Sequence, residues 1–209
     1  MTTAVFGGTF DPVHIGHLMM ADEVLAHLRY DQIRFIPARI APHKSGEPSA
    51  CAADRLAMLR LATADRDEFV VDPYELEQEG PSYTVQTLRH LTKSGIVAGK
   101  PGLIIGADLV NGFDAWREAD EVERLADLIL VRRPEADGSR RTPRFDRKHR
   151  VIDNVMLTVS ATEIRRRVAE GLPFRYLVTP EVCRYIRERT LYRLVPAGDA
   201  SPRSGVNDA

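Results

Sequence analysis

Short apolar runs alternate with stretches of helical periodicity along most of this chain, and no other feature restricts its fold so tightly. The runs TAVF, QIRFIP, EFVVD, GLIIGAD, DLILVRR and VMLTV read as strands. They are too continuously apolar for one solvated face, so each is expected to be covered on both sides. Between them lie helical patterns. Leu18, Ala21, Leu25 and Leu28 recur at helical spacing from Gly16 to Leu28, and Leu56, Leu59 and Thr63 do so between Ala53 and Ala64. SYTVQTLRHLTKSG (closed by Gly95), the stretch Asp120 to Leu125, SATEIRRRVAEG and PEVCRYIRERTLY complete the series, with helical turns near Trp116. Such alternation predicts an α/β fold: a doubly wound, Rossmann-like parallel sheet with a small C-terminal helical part. One domain is expected over residues 1–195, and 196–209, rich in Pro, Gly, Ser and Asp, reads as a disordered tail.

Composition narrows the function. At 209 residues, 44% hydrophobic and 28% charged, the chain can bury one proper core and is ordinary for a globular protein. A formal net charge of -1 argues against a partner gripped by overall charge, so no nucleic acid is expected. Residues 132–150 carry eight Arg or Lys against three acids with a single Phe rather than a series of interleaved aromatics, and read as an exposed basic loop. No apolar run reaches bilayer length and no basic-then-apolar leader opens the chain, so no membrane partner is expected. Cys51 and Cys183, far apart and without ligand spacing, read as reduced thiols of a cytoplasmic protein.

In a doubly wound sheet, ligands bind beyond the carboxyl ends of the strands. There the sequence places GGTFDPVHIGH, the loop with His43 and Lys44, GAD at 106–108, Arg132 with Arg133, and SATEIR. In the first of these, Gly7 and Gly8 let the backbone turn sharply and approach a ligand closely. Asp11-Pro12 fixes the next bend, and Gly16-His17 opens a helix whose free N–H groups and dipole favour an anion. His14 and His17, three apart across that junction, can reach one polyphosphate and stabilise charge growing on its oxygens. The stretch lacks G-x-G-x-x-G. The nearest P-loop imitation, GIVAGKP, follows a helix, is one residue short, and has Pro101 where the Mg²⁺-binding hydroxyl belongs. No third ligand accompanies the histidines, so no metal site is expected. The plain alternative is a strand-to-helix turn with two surface histidines.

GGTFDPVHIGH resembles the first signature of the nucleotidyltransferases with a His-x-Gly-His motif, in particular the bacterial nicotinate-nucleotide adenylyltransferases. The resemblance runs to about Arg193: APHK is similar to the family's Pro-Pro-His-Lys, PSYTVQTL and IIGAD with Trp116 follow in order, and VSATEIR resembles the second phosphate signature. It implies transfer of the adenylyl group of ATP to nicotinate mononucleotide, with pyrophosphate released. His14, His17 and Arg165 would be catalytic. Gly7, Gly8, Thr9, Phe10, His17, Lys44, Gly106, Asp108, Ser160, Thr162 and Arg165 would bind ATP, and Thr84, Asp108, Trp116 and Arg133 the mononucleotide. Mg²⁺ would arrive on the ATP phosphates, and the resemblance leaves room for a homodimer. Ala41 departs from the first proline of the family's pair, and Ala161 from a serine often found there.

The same residues have plainer uses. Ser160 and Glu163 form S-x-x-E, a helix-capping pattern compatible with an anion site. Of three consecutive arginines, Arg165 lies best to lean toward the strand ends. Trp116 can be core or a rim indole stacking on a flat ring, and Asp108 can cap a helix or hold a diol. The chain offers no Ser-His or Cys-His pairing, so direct in-line attack by the mononucleotide phosphate on the α-phosphorus of ATP is expected, with catalysis by positioning and charge stabilisation. Rivals are a related transferase using nicotinamide mononucleotide or phosphopantetheine, and a nucleotide-binding regulator without turnover.

Overall fold

Thr3–Gly8 (β1), Gln32–Pro37 (β2), Phe69–Val71 (β3), Gly102–Gly106 (β4), Asp127–Val131 (β5) and His149–Ile152 (β6) form one parallel sheet in a computed structural model, in the order β3-β2-β1-β4-β5-β6. The structure describes residues 1–42, 49–132, 144–153, 155 and 157–193, the side chain of Asp108 excepted. Helices Ile15–Leu28 (α1), Ala52–Thr63 (α2), Tyr74–Glu77 (α3), Thr84–Lys93 (α4), Ala119–Leu125 (α5), Ala161–Ala169 (α6) and Pro180–Glu188 (α7) connect and flank it, with a 3₁₀ stretch at Ala107–Ala115. The expected tail at 196–209 lies outside the described residues. Among those described, no helix is long and apolar enough to cross a membrane.

The inner strands β1, β4 and β5 are mostly apolar because alternate residues feed two cores. Ala4, Phe6, Ile33, Phe35, Ile104 and Ile129 pack on one face with Met20, Met58, Ile164 and Val182 from α1, α2, α6 and α7. Val5, Ile36, Leu103, Ile105, Leu128 and Leu130 pack on the other with Val85, Leu88 and Val122 from α4 and α5. Both faces are dry, as a parallel sheet with crossover helices requires.

Three local expectations change. The deepest stripe of α1 is Gly16, Met20, Ala21 and Val24, with Leu18, Leu25 and Leu28 packed at its margins. The buried face of α2 includes Arg55 and Met58 beside Leu59, Ala62 and Thr63. Among the described residues the last strand is HRVI, and residues 155 and 157–159 of VMLTV are not in a strand. Residues 149–152 pair with β5 through Leu128↔His149 to Val131↔Ile152, whereas Val155 is exposed. An edge strand keeps polar residues toward water, so counting apolar residues picked the wrong segment.

The register also makes the cleft. β1 pairs with β2 along six residues, Thr3↔Gln32 to Gly8↔Pro37, but with β4 only at Ala4↔Gly102 and Val5↔Leu103. Beyond Val5 the two strands separate, at the point where the strand order reverses. A crevice there is where this topology places ligands.

Candidate active site

The crevice at the β1/β4 divergence is a cleft of about 1130 Å³. It is lined by Gly7 and Gly8 at the end of β1, Thr9, Phe10 and His14 from the first loop, His17 in the first turn of α1, Gly106 at the end of β4, Thr84 at the start of α4, Trp116, and Ser160, Thr162 and Arg165 at the start of α6. Segments far apart in sequence therefore converge on one space. Of the other residues named from the sequence, Lys44, Arg133 and the side chain of Asp108 lie outside those described.

The first loop is shaped by close contacts. Phe10 takes a left-handed φ of 48° and is buried, folding its ring under Gly8, where a Cβ would meet that ring at 3.0 Å. A Cβ added at Gly7 would meet nothing within 4 Å, so a side chain there would project into open cleft. His14 caps α1 with extended backbone, and its N–H donates to His17 Nδ1 at 3.2 Å. With Nδ1 accepting, the neutral His17 ring carries its proton on Nε2 and is a donor there. The two imidazoles stack, centroids 3.6 Å apart and 22° from parallel. A Cβ on Gly16 would come within 3.1 Å of His14 Nδ1, so the glycine between the histidines gives the first ring its place.

Beneath the loop lies a buried ionic hub that the sequence did not disclose. Arg55, 1% exposed, donates through Nη1 to the carbonyls of Thr9 at 2.8 Å and Ala38 at 2.7 Å. Burial lowers its pKa and the Asp11 charge opposes this, yet a guanidinium stays charged. Asp11, 4% exposed, accepts from Ser49 N–H at 2.7 Å, Ala50 N–H at 3.1 Å and the Tyr192 hydroxyl at 2.8 Å. Arg55 left one sequence signal, a charged residue on the stripe of Met58, Leu59 and Ala62. Asp11 and Tyr192, 181 positions apart, left none.

At α6, Ser160 accepts from the N–H of Glu163 at 3.2 Å, so it does cap the helix, and it lines the cleft as well. The three arginines separate. Arg166 pairs with Glu163 and Glu170, and Arg167 with Glu163 and the Pro173 carbonyl, all away from the cleft lining. Arg165 alone of the three lines the cleft, donating Nη1 to the Asp11 carbonyl at 2.7 Å and Nη2 to Thr162 Oγ1 at 3.2 Å.

The opposite wall is built from α3, α4 and the end of the 3₁₀ stretch. Thr84 is the first residue of α4, whose opening N–H groups give that wall a positive end. Trp116 is half-buried, its indole tilted against Phe113 with centroids 5.0 Å apart. Next to it the Arg117 guanidinium lies 4.7 Å over the Tyr83 ring, and both line the cleft. Glu75 also lines it, buried, accepting from Thr87 Oγ1 at 2.5 Å. Burial raises its pKa, with the Thr87 and Ser82 hydrogen bonds opposing and the Asp72 charge adding to the rise. Among the described residues no group of three or more His, Cys, Asp or Glu is placed to hold a metal ion.

Chemically the cleft joins imidazole, guanidinium and helix-start donors on one wall to an aromatic rim on the other. A family model described as cytidylyltransferase-like matches residues 5–167. Proteins named as nicotinate-nucleotide adenylyltransferases are similar over most of the chain. That of Geobacillus thermodenitrificans is 42% identical, covering 90% of this chain and 84% of its own, and that of Symbiobacterium thermophilum is 40% identical, covering 90% and 94%. A solved structure of Plasmodium falciparum nicotinic acid mononucleotide adenylyltransferase complexed with NaAD superposes with a TM-score of 0.72 at 17% identity, covering 91% of this chain and 97% of that one. That likeness speaks for the fold, and the sequence matches carry the family. The chain belongs to the cytidylyltransferase-like family and, within it, to the nicotinate-nucleotide adenylyltransferases.

Proposed function

We propose that this protein transfers the adenylyl group of ATP to nicotinate mononucleotide, forming nicotinate adenine dinucleotide and pyrophosphate. One observation carries the reading. The loop with His14 and His17 and the helix start with Ser160, Thr162 and Arg165 are joined by the Arg165–Asp11 bond across 154 positions and line the same cleft as Thr84 and Trp116. ATP, as its magnesium complex, lies with its phosphates against His14, His17 and Arg165 and its nucleoside along Gly7 to Phe10, Gly106, Ser160 and Thr162. The mononucleotide places its pyridine ring on Trp116 and its carboxylate at the α4 start by Thr84, where a helix N-terminus favours an anion over a neutral amide. Lys44 and Arg133 on phosphates and Asp108 on a ribose complete the assignment.

The 5′-phosphate of the mononucleotide is already ionised, so it attacks the α-phosphorus in line without a base to activate it. His17 and Arg165 then act on charge passing to the bridging oxygen and the leaving pyrophosphate. Mg²⁺ would be carried on the triphosphate, where it would offset phosphate charge beside the His14, His17 and Arg165 donors. The test is pyrophosphate release from Mg-ATP with nicotinate mononucleotide, nicotinamide mononucleotide or phosphopantetheine. The acid mononucleotide should react fastest. Turnover only with phosphopantetheine, or bound nucleotide without pyrophosphate, would overturn the assignment.

A further inference from the structure

Tyr192 lies beyond the segment that the family model matches, four positions past the end of α7, yet its hydroxyl reaches the base of the first loop. The chain bends to bring it there. Thr190 and Tyr192 take left-handed φ values of 55° and 63°, which side chains with a Cβ adopt at a cost, and the Leu191 N–H closes back on the Ile186 carbonyl at 3.0 Å. The ring packs against the core cluster of α1 and α2, and the hydroxyl donates to Asp11 Oδ1 at 2.8 Å. Burial, reinforced by the Asp11 charge, raises the phenol's pKa, so it stays a donor.

Asp11 turns that bond toward the cleft. Its carboxylate is held by Tyr192 and by the Ser49 and Ala50 N–H groups, while its own carbonyl receives Arg165 Nη1 at 2.7 Å. We propose that Tyr192 is a positioning residue for adenylyl transfer: by fixing Asp11 it fixes the carbonyl that aims Arg165 into the cleft. This rests on the function proposed above. A tyrosine that only pinned the C-terminal helix would affect melting and leave the kinetics of the folded enzyme alone.

The test is Tyr192→Phe, which keeps the ring and removes one hydrogen bond to a carboxylate. Its kcat should fall about tenfold, the size of that loss, with KM for nicotinate mononucleotide unchanged and the protein fully folded at the assay temperature. In an Arg165→Lys background, where the aim no longer serves a guanidinium, the same change should cost less than about twofold. Should Tyr192→Phe not fold, Tyr192→Met, which fills much of the ring's place and also lacks the donor, is expected to give the same kcat loss and the same coupling. A wild-type kcat in the folded variant, or an undiminished loss on Arg165→Lys, overturns the proposal. Wild-type enzyme assayed alongside separates the two levels: if it releases no pyrophosphate the adenylyl-transfer reading falls, and if it does while Tyr192→Phe matches it, only the positioning role falls.

Discussion

The wall carrying His14 and His17 and the wall carrying Thr84 and Trp116 face the same cleft but are held by different physics. Behind the first lies charge taken out of water. Asp11 and Arg55 are 4% and 1% exposed, and their hydrogen bonds reach the first loop, the turn after β2, residues 49 and 50, and the C-terminal Tyr192. The second rests on ring contacts and a 3₁₀ stretch, whose hydrogen bonds are poorer than those of an α-helix. Its charged neighbours, such as Arg89 with Glu118, are surface pairs worth little. Groups that must meet developing charge gain from being fixed in advance, whereas a wall that accepts a flat ring needs mainly apolar area. The difference predicts that damage to the first wall appears in turnover and damage to the second in affinity.

The largest effect expected is that of His17→Ala. It removes the Nε2 donor while leaving the hub beneath intact, so kcat should fall by about 10²–10³. Initial rates of pyrophosphate release at saturating substrates, with a melting curve to show that the fold persists, check this. Wild-type turnover would remove the first wall from the chemistry. Trp116→Ala comes next. Losing one aromatic contact should raise KM for nicotinate mononucleotide about tenfold and leave kcat within about twofold, because the ring is held alike before and during transfer. A collapse of kcat instead would mean that the two walls cannot be separated.

The fold was legible wherever one strand-helix period expressed one burial pattern. TAVF, QIRFIP and GLIIG had to be covered on both faces, and their alternate residues do feed two cores. It was illegible where burial was shared with solvent, as in HRVI at the sheet edge, or where four residues sufficed for a helix, as in Tyr74–Glu77. At the site, local motifs marked His14, His17, Ser160 and Arg165, since each sits at or just inside a helix start whose glycines and caps leave a sign in adjacent residues. The supporting groups left no such mark. Asp11 meets Tyr192 only through the closed tertiary structure, and Glu75 meets Thr87 of α4 from a separate helix.

Glu75 gives the smallest and most particular test of the contrast, because it is a carboxyl of the second wall that burial holds back from ionising. Its folded pKa is raised, by desolvation first and then by the Asp72 charge, against the pull of Thr87 and Ser82. A carboxyl that keeps its proton more tightly when folded binds more protons in the native state than in the unfolded one, from about the ordinary glutamate pKa of ~4.3 upward. Its effect on stability is therefore most favourable below that value and is lost as pH rises through the folded pKa. Glu75→Gln keeps an acceptor for the Thr87 hydroxyl and cannot titrate, so its urea midpoint should decline less than that of the wild type from about pH 5 to about pH 8. Parallel declines would mean that Glu75 is ionised throughout. The second wall would then carry a buried negative charge beside the α4 start, and its preference for an anionic ring substituent would need another source.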